Sequence, residues 1–270
     1  ALALLAIWAI LKFALNSVNA TEETVCGVGR GTLALKLSNL LHHVIVGPLS
    51  LFAVFQDPVI RHMLLCNGCA DVAPSMLRDA SGLPASVFAL TPITLGYLAT
   101  DLVLISQWQL SGSGHTEALL MIVHHIMSML AWPFAIIYDF CGRFVLLMLS
   151  YEVSSIFLTS NWLLSATGHK ASKLYLFSGG LFTLSFVLIR MVGAVPQLIS
   201  FFHAPPWMAS IDQYPGVLLW MFPWSLVLLL PHMMNFFWGV KVIRGSLALV
   251  CKKEKKAGKF LDAEDPGGVE

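Results

Sequence analysis

The chain has 270 residues, of which 57% are hydrophobic and only 11% charged, with 16 Lys and Arg against 15 Asp and Glu. A water-soluble domain carries about 25% charged residues, so lipid must be the solvent over most of this chain. That excludes a cytosolic enzyme, a DNA-binding domain or a disordered scaffold, and a net charge of +1 supports no polyanion-binding reading.

Ala1 to Leu15 is apolar but short and contains Lys12. It starts without Met, which fits a trimmed chain, and Val18-Asn19-Ala20 looks like a signal-peptidase site. With no basic segment before the apolar run, a first membrane helix is the better expectation. Leu37–Gln56, Ala80–Thr100, Ala118–Tyr138 and Gln213–Val240 then contain no Asp, Glu, Lys or Arg. Phe144–His169 is interrupted only by Glu152, and Leu174–Ile211 only by Arg190. A spanning helix needs roughly 20 apolar residues, and these tracts lack the alternation of barrel strands. The expected spans are 33–56, 87–108, 116–138, 142–165, 173–201 and 216–244. With the N-terminal helix, the fold class is an all-α, multi-pass transmembrane bundle of about seven spans. The division expected is 1–32 as N-terminal helix and linker, 33–245 as the membrane domain, and 246–270 as a basic then acidic tail.

Lys241, Arg244, Lys252, Lys253, Lys255, Lys256 and Lys259 crowd the tail, which should therefore face the cytosol, or the matrix or stroma of an organelle. Seven spans would bring Arg30, Lys36, Lys170 and Lys173 to the same side, against Arg61, Arg78 and Arg143 opposite. Cys66-Asn67-Gly68-Cys69 has no thioredoxin-like context and no second CxxC for zinc. A pair of free thiols is expected there, or a disulfide if the loop is lumenal.

His42, His43, Asp101, His124, His125, Glu152, Arg190 and His232 should not lie in lipid unless they face the bundle interior and pair. Helical spacing puts Asn39, His43 and Ser50 on one face, and Thr94, Tyr97, Asp101 and Trp108 on another. By rise per residue His42, Asp101, His124 and Asn235 sit roughly 10–15 Å from the tail-side ends of their spans, with Glu152 and Arg190 near 20 Å. One polar layer open toward the tail side is the expectation. Pro48, Pro92, Pro133, Pro196, Pro223 and Pro231 could bend the helices around it.

His42-His43, Gly96-Tyr97 with Asp101, His124-His125, the stretch Leu149 to Ser155, Phe186 with Arg190, and Asn235 with Trp238 follow one another in order. In this the chain resembles the TLC-domain family of multi-pass membrane proteins, which includes the ceramide synthases, over about Ser38 to Trp238. Ceramide synthases carry a His-Asp-x-x-Asp stretch in the helix after the His pair. Here that helix has Glu152 and no His-Asp, so the chain looks like the non-synthase branch, linked to phospholipid acyl composition and membrane fluidity. The resemblance implies an endoplasmic reticulum or other endomembrane location.

Acyl transfer from a thioester needs a base near neutral pH. His124 or His125 could supply it, oriented by Asp101 or Glu152, with acyl-CoA as substrate and no resident cofactor. Adjacent histidines lie about 100° apart on a helix, so only one should face the pocket squarely. His42, His43, Tyr97, Arg190, Asn235 and Trp238 complete the candidate lipid-binding set, and Arg190 could grip a phosphate or carboxylate in bidentate fashion. The competing expectation is that Arg190 simply neutralises Glu152 or Asp101. Two His pairs and two carboxylates could in principle ligate iron or zinc, but no HxxxH or HxxHH is present and no metal is expected. The expected partners are membrane lipid and, if the chain is an accessory protein, other membrane subunits; nucleic acid is not.

Overall fold

The computed structural model describes residues 6, 9–14, 24–25, 28–66, 83–108, 115–137, 142–203 and 229–248. It is helical apart from a two-residue antiparallel ladder, β1 (Thr24–Val25) with β2 (Val28–Gly29), that leads into the first long helix. The helices are α1 (Arg30–Gln56), α2 (Pro58–Leu65), α3 (Ala85–Trp108), α4 (His115–Ile137), α5 (Gly142–Ser150), α6 (Glu152–Ala166), α7 (Lys173–Ser185), α8 (Ala194–His203) and α9 (229–248). Five stretches among the described residues are long and apolar enough to cross a membrane: Arg30–Gln56, Ala85–Ile105, Leu119–Ile137, Gly142–Ala166 and Lys173–His203. They coincide with five of the expected spans. The expected N-terminal helix is seen only as the helical stretch 9–14 and the last span as α9, and the tail beyond 248 lies outside the described residues.

Outward faces are apolar, as lipid demands: α1 turns Leu41, Val44, Leu49, Phe52 and Phe55 outward. The centre is α5, buried at every position from Gly142 to Ser150. A helix that is hydrophobic all round belongs inside the bundle, and α5 packs with α1, α3 and α4 around Phe144, Leu146 and Leu149. Local chemistry sets the element ends. Asp57 caps α2 by accepting from Ile60 N–H (2.8 Å), and Pro58 follows where a missing N–H costs nothing. Helix α6 stops at Thr167, with Gly168 in the left-handed region (φ 82°) and His169 N–H donating back to Leu164 O at 2.7 Å.

Two expected single spans are interrupted. The 142–165 span breaks at Tyr151, where Tyr151 N–H bonds Met148 O and Ser154 N–H bonds Tyr151 O, both three residues back. Ser150 Oγ and Ser154 Oγ also donate to Leu147 O (2.6 Å) and Tyr151 O (2.9 Å), competing for carbonyls that a continuous α-helix would use. The 173–201 span contains a π-helical segment, Phe186–Val192, closed by Gly193 N–H on Leu188 O. Pro196 accounts for its position: placed in the first turn of α8 it needs no N–H partner, whereas in a continuous helix its ring would strike the carbonyl of Val192. Helices α1, α3 and α4 run through Pro48, Pro92 and Pro133 without ending.

The cysteine loop corrects a second expectation. Cys66 is disulfide-bonded rather than a free thiol, and every other cysteine lies outside the described residues.

Candidate functional site

Helix α1 passes so close to the start of α6 that a Cβ on Gly47 would lie 2.7 Å from Val153 N and 2.9 Å from the Glu152 carbonyl carbon. This approach carries His43, one turn back on α1, onto Glu152: His43 Nδ1 is 2.7 Å from Glu152 Oε2. The distance is that of an ion pair, yet the buried Oε2 has no hydrogen bond of acceptable angle among the described residues. His42 stacks on Tyr97 of α3 at 4.0 Å with planes 13° apart, and His43 meets the same ring edge-on. His42 Nε2 lies 3.3 Å from Thr94 Oγ1.

One turn further along α3, Asp101 accepts from Asn39 Nδ2 of α1 (3.1 Å) and faces His125 Nε2 of α4 at 2.9 Å. His125 Nδ1 faces Met121 O at 2.8 Å. A carbonyl can only accept, so Nδ1 must be the donor there. The Nε2–Oδ2 line then holds one proton, shared between a ring and a carboxylate that are both buried. His124 points elsewhere, as the 100° offset requires. It is half-buried and lines a void of about 10 Å³ with Met127, Ser128, Trp132 and Pro231.

Arg190 sits in the π segment and reaches across to the break at Tyr151. Its Nε donates to Ser154 Oγ (2.7 Å), Nη2 to Tyr151 O (2.9 Å) and Ser155 Oγ (2.7 Å), and Nη1 to Asn235 Oδ1 of α9 (3.3 Å). The guanidinium also lies over the Tyr151 and Phe186 rings at 5.7 and 5.3 Å. Its hydrogen-bond partners are hydroxyls, a carbonyl and an amide. The expected contact ion pair with Glu152 or Asp101 does not form among the described residues.

Among the described residues the structure brings His42, His43, Tyr97, Asp101, His125 and Glu152 into one set of ring, hydrogen-bond and ion-pair contacts, and Arg190 with Asn235, Ser154, Ser155 and the Tyr151 carbonyl into another. Trp238 is half-buried on α9 with no polar contact among those described. A cleft of about 660 Å³ lies near the Gln56 end of α1 and the start of α3, lined by Phe52, Asp57, Leu83, Leu90 and Arg143 among others. A third polar group escaped sequence reasoning: Tyr151 Oη donates toward Gln197 Oε1 (3.4 Å) and lies 3.2 Å from His232 Nδ1. Its signal was the lone His232 in an apolar tract, whose partner could not be chosen from spacing.

A TLC-domain family model matches residues 35–244, most of the chain. No curated protein and no solved structure matches it.

Proposed function

This chain belongs to the TLC-domain family, and we propose that it is a lipid-handling protein of the membrane, binding or modifying a lipid at the His/Asp/Glu/Arg layer. The observation that carries the reading is Arg190: a half-buried cation inside the bundle, hydrogen-bonded only to neutral groups among the described residues. A charge at membrane depth calls for a counter-charge, and a lipid phosphate or carboxylate supplies one in the geometry a guanidinium prefers. Beside it stand His43 with Glu152 and His125 with Asp101, pairs that can take and return a proton as acyl transfer requires. Acyl-CoA is the donor this chemistry fits, with a sphingoid or lysophospholipid acceptor. An endoplasmic reticulum or endomembrane location goes with this reading.

The test is to purify the chain in mild detergent, identify co-purifying lipids by mass spectrometry, and assay acyl-CoA with both acceptor classes. Arg190→Met is expected to lower bound anionic lipid at least about tenfold, the worth of a charged hydrogen bond. Equal lipid in variant and wild type would refute the assignment.

A second reading, a non-catalytic accessory subunit of a membrane assembly, draws on the mutual engagement of the network, in which both oxygens of Asp101 and both nitrogens of His125 face partners within the chain. It expects bound lipid or partner subunits without turnover, and unchanged cellular lipid effects in a His124→Ala, His125→Asn variant.

A further inference from the structure

Three electron-pair donors converge where α1 meets α6. The Nδ1 atoms of His42 and His43 are 3.4 Å apart, His43 Nδ1 is 2.7 Å from Glu152 Oε2, and one ligand atom from each of the three residues falls within 4.8 Å of the others. Thr94 Oγ1 gives its own proton to Leu90 O at 3.2 Å, so it must accept from His42 Nε2–H. In the neutral ring, His42 Nδ1 is then a bare lone pair directed at His43 Nδ1. His43 can place a single proton on its Nδ1, and Glu152 Oε2 is buried without an aligned donor. With both rings neutral and Glu152 ionised, two ring nitrogens and a carboxylate oxygen share that one proton.

We propose that His42 Nδ1, His43 Nδ1 and Glu152 Oε2 form a binding site for a divalent transition-metal cation of the zinc type. A two-imidazole, one-carboxylate set is a known donor class for such ions and leaves a fourth tetrahedral position for water or a ligand oxygen. The 3.4 Å between the two Nδ1 atoms matches the edge of a tetrahedron with metal–nitrogen bonds of about 2.0–2.1 Å, an edge of about 3.3 Å. The Glu152 oxygen, at 2.7 Å, has only to withdraw by a side-chain rotation. The outer shell is in place: Thr94 fixes the tautomer of His42 through its other nitrogen, and the Tyr97 ring fixes the plane of His42 by stacking. Adjacent histidines on one helix and a glutamate 109 positions later make no recognisable spacing motif, which is why the sequence alone points away from a metal.

The site shares His43 and Glu152 with the lipid reading, and a bound metal would replace the proton between them, but its test uses no lipid. Full-length chain is purified in mild detergent from zinc-supplemented cells, its metal content measured, then stripped with chelator and titrated with Co²⁺. The expected result is one zinc per chain as purified, and the visible absorption of tetrahedral cobalt on titration. Glu152→Gln, which keeps the side-chain shape but removes the ligand charge, should weaken binding by more than the roughly tenfold to hundredfold that loss of an outer-shell partner costs, and a His42→Ala, His43→Ala double variant should abolish it. His169→Ala, remote and exposed, should bind like wild type. Wild-type protein that is monodisperse yet holds no zinc and gives no cobalt spectrum overturns the proposal. So does full stoichiometry in the double variant. Neither measurement uses lipid, so loss of the metal site and loss of the lipid site are separately readable.

Discussion

Asp57 holds two structures together with one carboxylate. Its Oδ1 caps α2 at Ile60 N–H, and both oxygens receive Arg143 Nε of α5, at 3.3 and 3.1 Å, with both side chains buried. Breaking a buried pair from one side leaves an uncompensated charge, so Asp57→Ala is expected to cost about 3–5 kcal/mol. Adding Arg143→Met should recover most of that loss, because the stranded cation is then gone. Thermal unfolding of the three proteins in one detergent checks both expectations. This pair was not legible in the sequence, since both residues lie at span ends where isolated charges are ordinary. Asp101 and His125 were legible, because a charge or an imidazole in the middle of an apolar tract must find an interior partner. Which of His124 and His125 would do so was not, since choosing between them needs the rotation of α4 relative to α3.

At the scale of elements, span positions could be read from the spacing of charges, while the places where helices touch or break could not. Gly47 is the clearest case: nothing in the α1 tract distinguishes it from other small residues, yet it is where α6 passes within van der Waals reach of the backbone. Gly47→Ala should therefore force α1 and α6 apart and cost about 1–3 kcal/mol. Gly180, on an exposed face of α7 with nothing within 4 Å of a Cβ, should respond with the opposite sign. There alanine restores helix propensity and is expected to stabilise by about 0.5–1 kcal/mol. Comparing the two melting temperatures separates crowding from propensity; two shifts of the same sign would mean that α1 does not approach α6 this closely. The Tyr151 break and the π segment follow from serine back-bonding and from Pro196, but in a uniformly apolar stretch these signals were outweighed by the length and hydropathy of the tract. Together they place the Tyr151 carbonyl and Arg190 face to face, so the two irregularities build the site that unbroken helices would have left apart.

For the whole molecule, charge bias and redox chemistry both bear on sidedness once the five spans alternate across the membrane. Five successive spans bring the ends at Gln56, Ala85, Ile137, Gly142 and His203 to one face of the membrane, and those at Arg30, Ile105, Leu119, Ala166 and Lys173 to the other. Arg30, Lys36, Lys170 and Lys173 belong to the second face and Arg61 and Arg143 to the first, so the bias of Lys and Arg makes the second the expected cytosolic, matrix or stromal face. Cys66, just beyond the end of α2, belongs to the first, and its disulfide needs an oxidising compartment, which the cytosol is not. Charge bias and redox chemistry thus orient the bundle the same way. The expected outcome in a eukaryotic host is that a flexible insert bearing an N-glycosylation acceptor is glycosylated when placed after Cys66 and left bare when placed after Gly168. The check is a mobility shift removed by endoglycosidase. Glycosylation after Gly168 alone would invert the orientation and put Cys66 in a reducing compartment, where its disulfide could not persist. It would also turn the Asp101–His125 end of the polar residues, the end nearer Ile105 and Leu119, toward the lumen.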